Sequence, residues 1–166
     1  MSQQEDDQKA EELYLARIFI EWLNKKEDRD YICSSSKVQQ SLVDVYAKSV
    51  SGKFTDIKIQ VTTAEADYEK IRGITLARMK KYGDKSQPRP ISFNPVEWIL
   101  RSLENKENAI GNEDKGQITL LLKAGAVLRP SNAENLKIPA SPYKEIYVVY
   151  KPTNQSMIDN PVIRLK

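Results

Sequence analysis

The sequence predicts an α/β fold, a mixed central β-sheet flanked by helices, and three features of the chain point to it. The segment SLVDVYAKSV, the turn SGK and the run FTDIKIQVTT read as a β-hairpin. QITLLLKAGAVL has the continuous apolar character of a strand buried on both faces. Two further stretches carry apolar residues at helical spacing behind polar start signals. Helix, hairpin, helix, helix and strands in that order require helices packed against a sheet.

Residues 1–8 are expected to be a disordered lead-in and residues 9–166 one domain, the size that suits a single core. From Lys9 to Lys26, Leu13, Ala16, Ile20 and Leu23 recur at i, i+3, i+4, i+7 spacing, with Leu15, Ile18, Phe19 and Trp22 broadening the stripe. A polar EDRD turn leads to YICSS, residues 31–35, a short strand. The hairpin strands are expected at about 42–50 and 54–62. In the second, Ile57, Ile59 and Val61 alternate with polar residues, so one face is apolar and the other polar. Thr62 or Thr63 starts a helix running to about Lys81, with Thr62 to Glu65 fitting a capping box. A Pro-containing loop follows at 83–93. Asn94-Pro95-Val96-Glu97 opens another helix, whose apolar face is Val96, Ile99, Leu100 and Leu103. The apolar strand, a proline-rich loop, EIYVVYK as a strand and VIRL as an edge strand complete the order.

Composition narrows the chemistry. The chain has no histidine and a single cysteine, Cys33, which removes histidine-based triads, histidine-ligated metals, disulfides and thiolate zinc clusters. Carboxylates, lysines, hydroxyls and an oxygen-ligated cation such as Mg²⁺ remain. The six glycines form no phosphate-binding loop, and the G-x-S-x-G elbow is absent. No stretch is apolar enough for a membrane span and the opening MSQQEDDQK is unlike a signal peptide, so a cytoplasmic location is expected. Formal charge is +3 overall, but residues 1–12 carry −4 and the remainder +7. Residues 66–90 hold a local +4, in which Lys70, Arg72 and Arg78 are candidate phosphate contacts.

A leading helix with an acid, a hairpin with Asp in its first strand and polar residues at alternate positions of its second, then a helix, resembles the PD-(D/E)XK nuclease superfamily, the restriction-endonuclease-like fold. The resemblance spans residues 9–123. It implies an Asp in the first hairpin strand and (Asp/Glu)-x-Lys in the next, with the carboxylates holding Mg²⁺ and the Lys assisting the attacking water. Asp44 in SLVDVYA is the candidate for the first acid. Asp56-Ile57-Lys58 matches the letters of the second motif, and Gln60-Val61-Thr62 lies further along the same strand.

Hairpin geometry separates the two. A three-residue loop at Ser51, Gly52 and Lys53 opposes Asp44 to Gln60, with Cβ atoms about 5 Å apart. Asp56 then lies on the order of 13 Å along the strand, too far to share an ion with Asp44. A two-residue loop would instead oppose Asp44 to Ile59; the Gln60 register is preferred. In it Gln60 replaces the second acid, Thr62 stands where the family has Lys, and Lys58 offers an ammonium from two residues earlier. On helical projection Glu12 coincides with the centre of the first helix's apolar face while Glu21 points away, which makes Glu12 the helix's candidate ligand.

The expected set is therefore Asp44, Gln60, Lys58 and Glu12 for catalysis, with Asp44, Gln60 and Glu12 around Mg²⁺. The implied function is a nuclease-like protein that binds DNA and cleaves it by Mg²⁺-dependent phosphodiester hydrolysis, with a second copy expected for cutting both strands and a protein partner expected if the chain serves as a subunit. The alternative is a non-catalytic interaction or regulatory module that retains the fold with a decayed site.

Overall fold

The computed structural model describes residues 3–38, 41–63, 95–124, 133–138, 140–151 and 160–166. Among them are two helices, α1 (Gln3–Glu27) and α2 (Pro95–Glu107), and six strands: β1 (Tyr31–Ser35), β2 (Val45–Ser49), β3 (Ile57–Thr63), β4 (Ile118–Ala124), β5 (Glu145–Tyr150) and β6 (Val162–Arg164). The strands form one sheet in the order β1-β2-β3-β4-β5-β6. β1, β2 and β3 are an antiparallel meander, β4 and β5 each run parallel to the strand before, and β6 returns antiparallel on β5. The expected mixed α/β sheet is what the chain forms. None of the described helices is long and apolar enough to cross a membrane.

The period-two alternation of the strands divides the sheet's buried side chains between two cores, one on each face. On one face Leu15, Ala16, Phe19, Ile20 and Leu23 of α1 cover Val45, Ala47, Ile59, Leu121, Tyr147 and Val149. On the other, Ile99 and Leu103 of α2 join Leu120, Leu122, Ile146, Val148 and Tyr143. β4 is buried on both faces because it lies between two parallel neighbours with a core above and another below, as its unbroken apolar run implies. Phe19 and Tyr147 pack with ring centroids 4.7 Å apart, fixing α1 to β5.

Several boundaries differ from expectation. α1 begins at Gln3, so residues 3–8, expected as an irregular lead-in, form its first turns. Gln and Glu there lose little rotamer freedom in a helix, and Glu5 and Asp6 in the first turn complement the helix dipole, as do Lys25 and Lys26 in the last. Asp28 adopts the left-handed region (φ 51°) just past the helix end, where the chain must turn into β1.

The β2–β3 connection is longer than three residues, yet its register is the expected one, with Val45 opposite Ile59, Tyr46 opposite Lys58 and Ala47 opposite Ile57. The added loop residues are docked: Asp30 accepts hydrogen bonds from the Ser49 hydroxyl (2.7 Å) and the Ser51 amide (2.8 Å), while Arg29 lies over the Phe54 ring. Gly52 makes the turn at φ 71°.

Thr62 and Thr63, the expected caps of the next helix, close β3 in parallel pairing with Leu122 and Lys123, an extended backbone that a cap residue also adopts. The rest of that expected helix and the Asn94 cap lie outside the described residues. Leu100, expected on the buried stripe of α2, is 45% exposed, whereas Ile99 and Leu103 are buried in the sheet-side core.

Leu121→Ala should lower stability by about 3–4 kcal/mol, through lost transfer energy and a cavity in the central strand. Leu100→Ala should cost less than about 1 kcal/mol. Urea denaturation of both variants checks the contrast, and equal losses would contradict it.

Candidate functional site

The site begins where the regular β2–β3 ladder stops. Val45 is the last residue of β2 in register with β3. One residue earlier, the Asp44 amide still donates to the Ile59 carbonyl (2.9 Å). The next β3 donor, the Val61 N–H, is taken by the Asp44 carboxylate through Oδ2 at 2.8 Å. A side chain thus supplies the acceptor that a continuing strand would have given. The carboxylate is thereby held against the Gln60–Val61 peptide, beside Gln60 as the hairpin register requires.

Gln60 itself is buried, and its Oε1 accepts a hydrogen bond from the Tyr143 hydroxyl. Tyr143 resists ionisation strongly, first because it is buried and then because the Glu107 and Asp44 charges disfavour a phenolate. Asp44, Gln60 and Tyr143 are therefore close neighbours.

Glu12 approaches from α1. It is half-buried on the same helical face as Leu15, Ala16 and Phe19, and its Oε1 accepts from the Gln8 amide (2.8 Å). Its charge reaches Asp44. Burial foremost, with Glu12 adding to it, pushes the Asp44 carboxyl from 3.8 up to about 6, against the opposing pull of the Val61 N–H and the Lys106 ammonium. A cavity of about 220 Å³ opens beside this group, lined among others by Glu11, Glu12, Val61, Thr63, Lys106 and Lys123.

Of the expected residues, the structure sets Asp44 beside Gln60 and brings Glu12 within electrostatic reach of Asp44, while Glu12 is the one of them that lines the cavity. Lys58 does not line the cavity: its Nζ donates to Gln117 Oε1 at 3.2 Å. Lys70, Arg72 and Arg78 lie outside the described residues. No three acidic or cysteine side chains gather into a metal-holding group among the described residues. The expected set has two carboxylates and an amide, so it would not make such a group even when complete.

Sequence reasoning missed Glu11, Lys106, Lys123, Tyr143 and Lys151. Glu11 Oε1 accepts from Lys123 Nζ at 2.6 Å and Lys151 Nζ at 2.7 Å, and these ammonium groups hold its carboxyl below the usual range. Lys123 did leave a signal. It is the lone cation in ITLLLKA, a run otherwise read as buried, and such a cation needs a partner.

Compared with protein-family models, curated proteins and solved structures, the chain matches none. The site's chemistry is therefore argued from its own geometry.

The raised proton affinity of Asp44 has a thermodynamic consequence. Between pH of about 4 and 6 the unfolded chain releases a proton that the folded chain keeps, so this group's contribution falls as pH rises and is fully unfavourable above about 6. Asp44→Asn keeps an oxygen for the Val61 N–H and removes the charge. Relative to wild type it should be more stable by about 1–2 kcal/mol at pH 8 and within about 0.5 kcal/mol at pH 4, after discounting for partial exposure. Urea titrations at the two pH values check this; a destabilised variant at pH 8 would contradict it.

Proposed function

We propose that this chain is a nuclease-like protein that binds DNA and cleaves it by Mg²⁺-dependent phosphodiester hydrolysis on a restriction-endonuclease-like plan. The observation that carries the reading is the Asp44 carboxylate, held at the end of the β2–β3 ladder, pushed toward protonation by burial and by Glu12, and next to a cavity. A carboxyl whose charge is disfavoured by burial and by a nearby acid is a poor arrangement for stability and a suitable one for a divalent cation. The helix, antiparallel meander and parallel fourth strand agree with the plan that the sequence resembles.

The donor set fits a hard cation. Asp44 and Glu12 would supply carboxylate oxygens, and Gln60 a neutral amide oxygen whose second lone pair is available beside the Tyr143 bond. Bound Mg²⁺ would supply polarisation of a phosphoryl oxygen and a more acidic water. The protein's part is positional. Val61 fixes the Asp44 rotamer through its N–H, Tyr143 orients the Gln60 amide, and Lys106 contributes positive charge toward an anionic substrate. Lys70, Arg72 and Arg78 are proposed to follow the DNA backbone, in a cytoplasmic protein working with a second copy on the opposite strand.

One set of observations favours a second reading, a non-catalytic interaction or regulatory module. Thr62 stands where the family has Lys, and the Lys58 ammonium is held by Gln117 away from the cavity.

Plasmid DNA incubated with the protein in Mg²⁺ or Mn²⁺ separates the two readings. The nuclease reading expects metal-dependent nicking that falls at least about 100-fold in Asp44→Ala. No nicking, together with DNA affinity that drops steeply with salt, would favour the module. Absence of both nicking and binding would remove DNA from the account.

A further inference from the structure

We propose that Glu11 is a displaceable internal counter-anion, and that Lys123 and Lys151 form a phosphate-binding subsite which Glu11 closes in the resting protein. The inference takes the identity of its anion, a phosphodiester, from the nuclease reading. The ion pairs that define the subsite are independent of any cleavage.

The arrangement is lopsided. One oxygen, Glu11 Oε1, receives both ammonium groups at 2.6 and 2.7 Å, while among the described residues Oε2 accepts no hydrogen bond. Two cations thus share one carboxylate, and the trio keeps a net positive charge. Its members differ in how firmly they are placed. Lys123 rises from central strand β4 and its side chain is 22% exposed, so it needs an anion beside it. Glu11 is 41% exposed and stands on the outer part of α1, beyond the residues that anchor that helix to the sheet. It can swing into water at little hydration cost. The cation is fixed and its counter-ion is not.

The surroundings suit a phosphate better than a carboxylate. Thr63, the cross-strand partner of Lys123 on the same face of the sheet, also lines this cavity, and its hydroxyl makes no hydrogen bond among the described residues. Glu11 does not engage this donor. A tetrahedral phosphate group could accept from it while giving each lysine its own oxygen. Lys151 Nζ also lies 5.9 Å from the Tyr14 ring centroid, a contact with α1 that does not depend on Glu11.

If a carboxylate competes with phosphate for the same two lysines, neutralising it must tighten phosphate binding, since only the fraction with Glu11 displaced is competent. The test is thermal melting of the full chain in inorganic phosphate against chloride at matched ionic strength, for wild type, Glu11→Gln and Glu11→Gln/Lys123→Gln. Glu11→Gln should show a phosphate-specific rise in Tm that half-saturates at about tenfold lower phosphate than wild type, and the double variant should lose it. A Glu11→Gln response no greater than wild type, or one that persists in the double variant, overturns the proposal. Should Glu11→Gln not fold, wild type and Lys151→Gln give the same test, with half-saturation in Lys151→Gln expected about tenfold higher and an unchanged value overturning it.

A duplex oligonucleotide arm distinguishes the source of the phosphate. Tighter duplex binding by Glu11→Gln, with a salt slope steeper by about one, assigns the subsite to a DNA backbone. Phosphate protection without any change in duplex binding supports the subsite, assigns it to a small phosphorylated molecule, and counts against the nuclease reading instead.

Discussion

The hydrogen bond from the Val61 amide to the Asp44 carboxylate is the constraint on which the site depends. A strand leaving a ladder strands a backbone donor, and a donor left without a partner is costly. Here an acidic side chain takes that place. The same bond that completes the sheet also draws a carboxylate into a half-buried position next to Glu12, where burial and a like charge raise its proton affinity. Structural completion and a chemically poised group thus reside in one side chain.

The two-faced sheet explains why the charges collect where they do. Both faces are sealed by apolar side chains over most of the strands, α1 on one side and α2 with the Tyr143 segment on the other. Near the C-terminal ends of β3 and β4 this seal gives way. Thr62, Thr63 and Lys123 follow the apolar stretches there, and Glu11, Glu12 and Lys106 reach in from the helices. A charge that is partly withdrawn from water there, as Lys123 is at 22% side-chain exposure, must pair or bind something. Glu11 with its two lysines is one such pairing. Asp44 with Glu12 is the opposite, a repulsive pair that keeps its demand for positive charge.

Much of this was legible in the chain. Alternation in IKIQVTT and a glycine-centred turn were enough to set the hairpin register, because a shift of one residue would have exposed Ile57, Ile59 and Val61. That register in turn brought Asp44 beside Gln60. The helical projection of α1 turned Glu12 inward for the same kind of reason: the apolar stripe fixes the rotation of the whole helix. The remainder depended on long-range partners. Glu11 matters through Lys123 and Lys151, more than a hundred residues away, and no local period connects them. Tyr143 follows a proline-rich stretch with no periodicity, so its approach to Gln60 left no trace in pattern.

The measurement that bears most directly on the account is the titration of the Asp44 carboxyl carbon by carbon-13 NMR, with and without Mg²⁺. The account predicts a midpoint of about 6 in the metal-free protein and a clear fall when Mg²⁺ is added, since a cation shared with Glu12 would stabilise the carboxylate. A metal-free midpoint near the ordinary 3.8, indifferent to Mg²⁺, would contradict it.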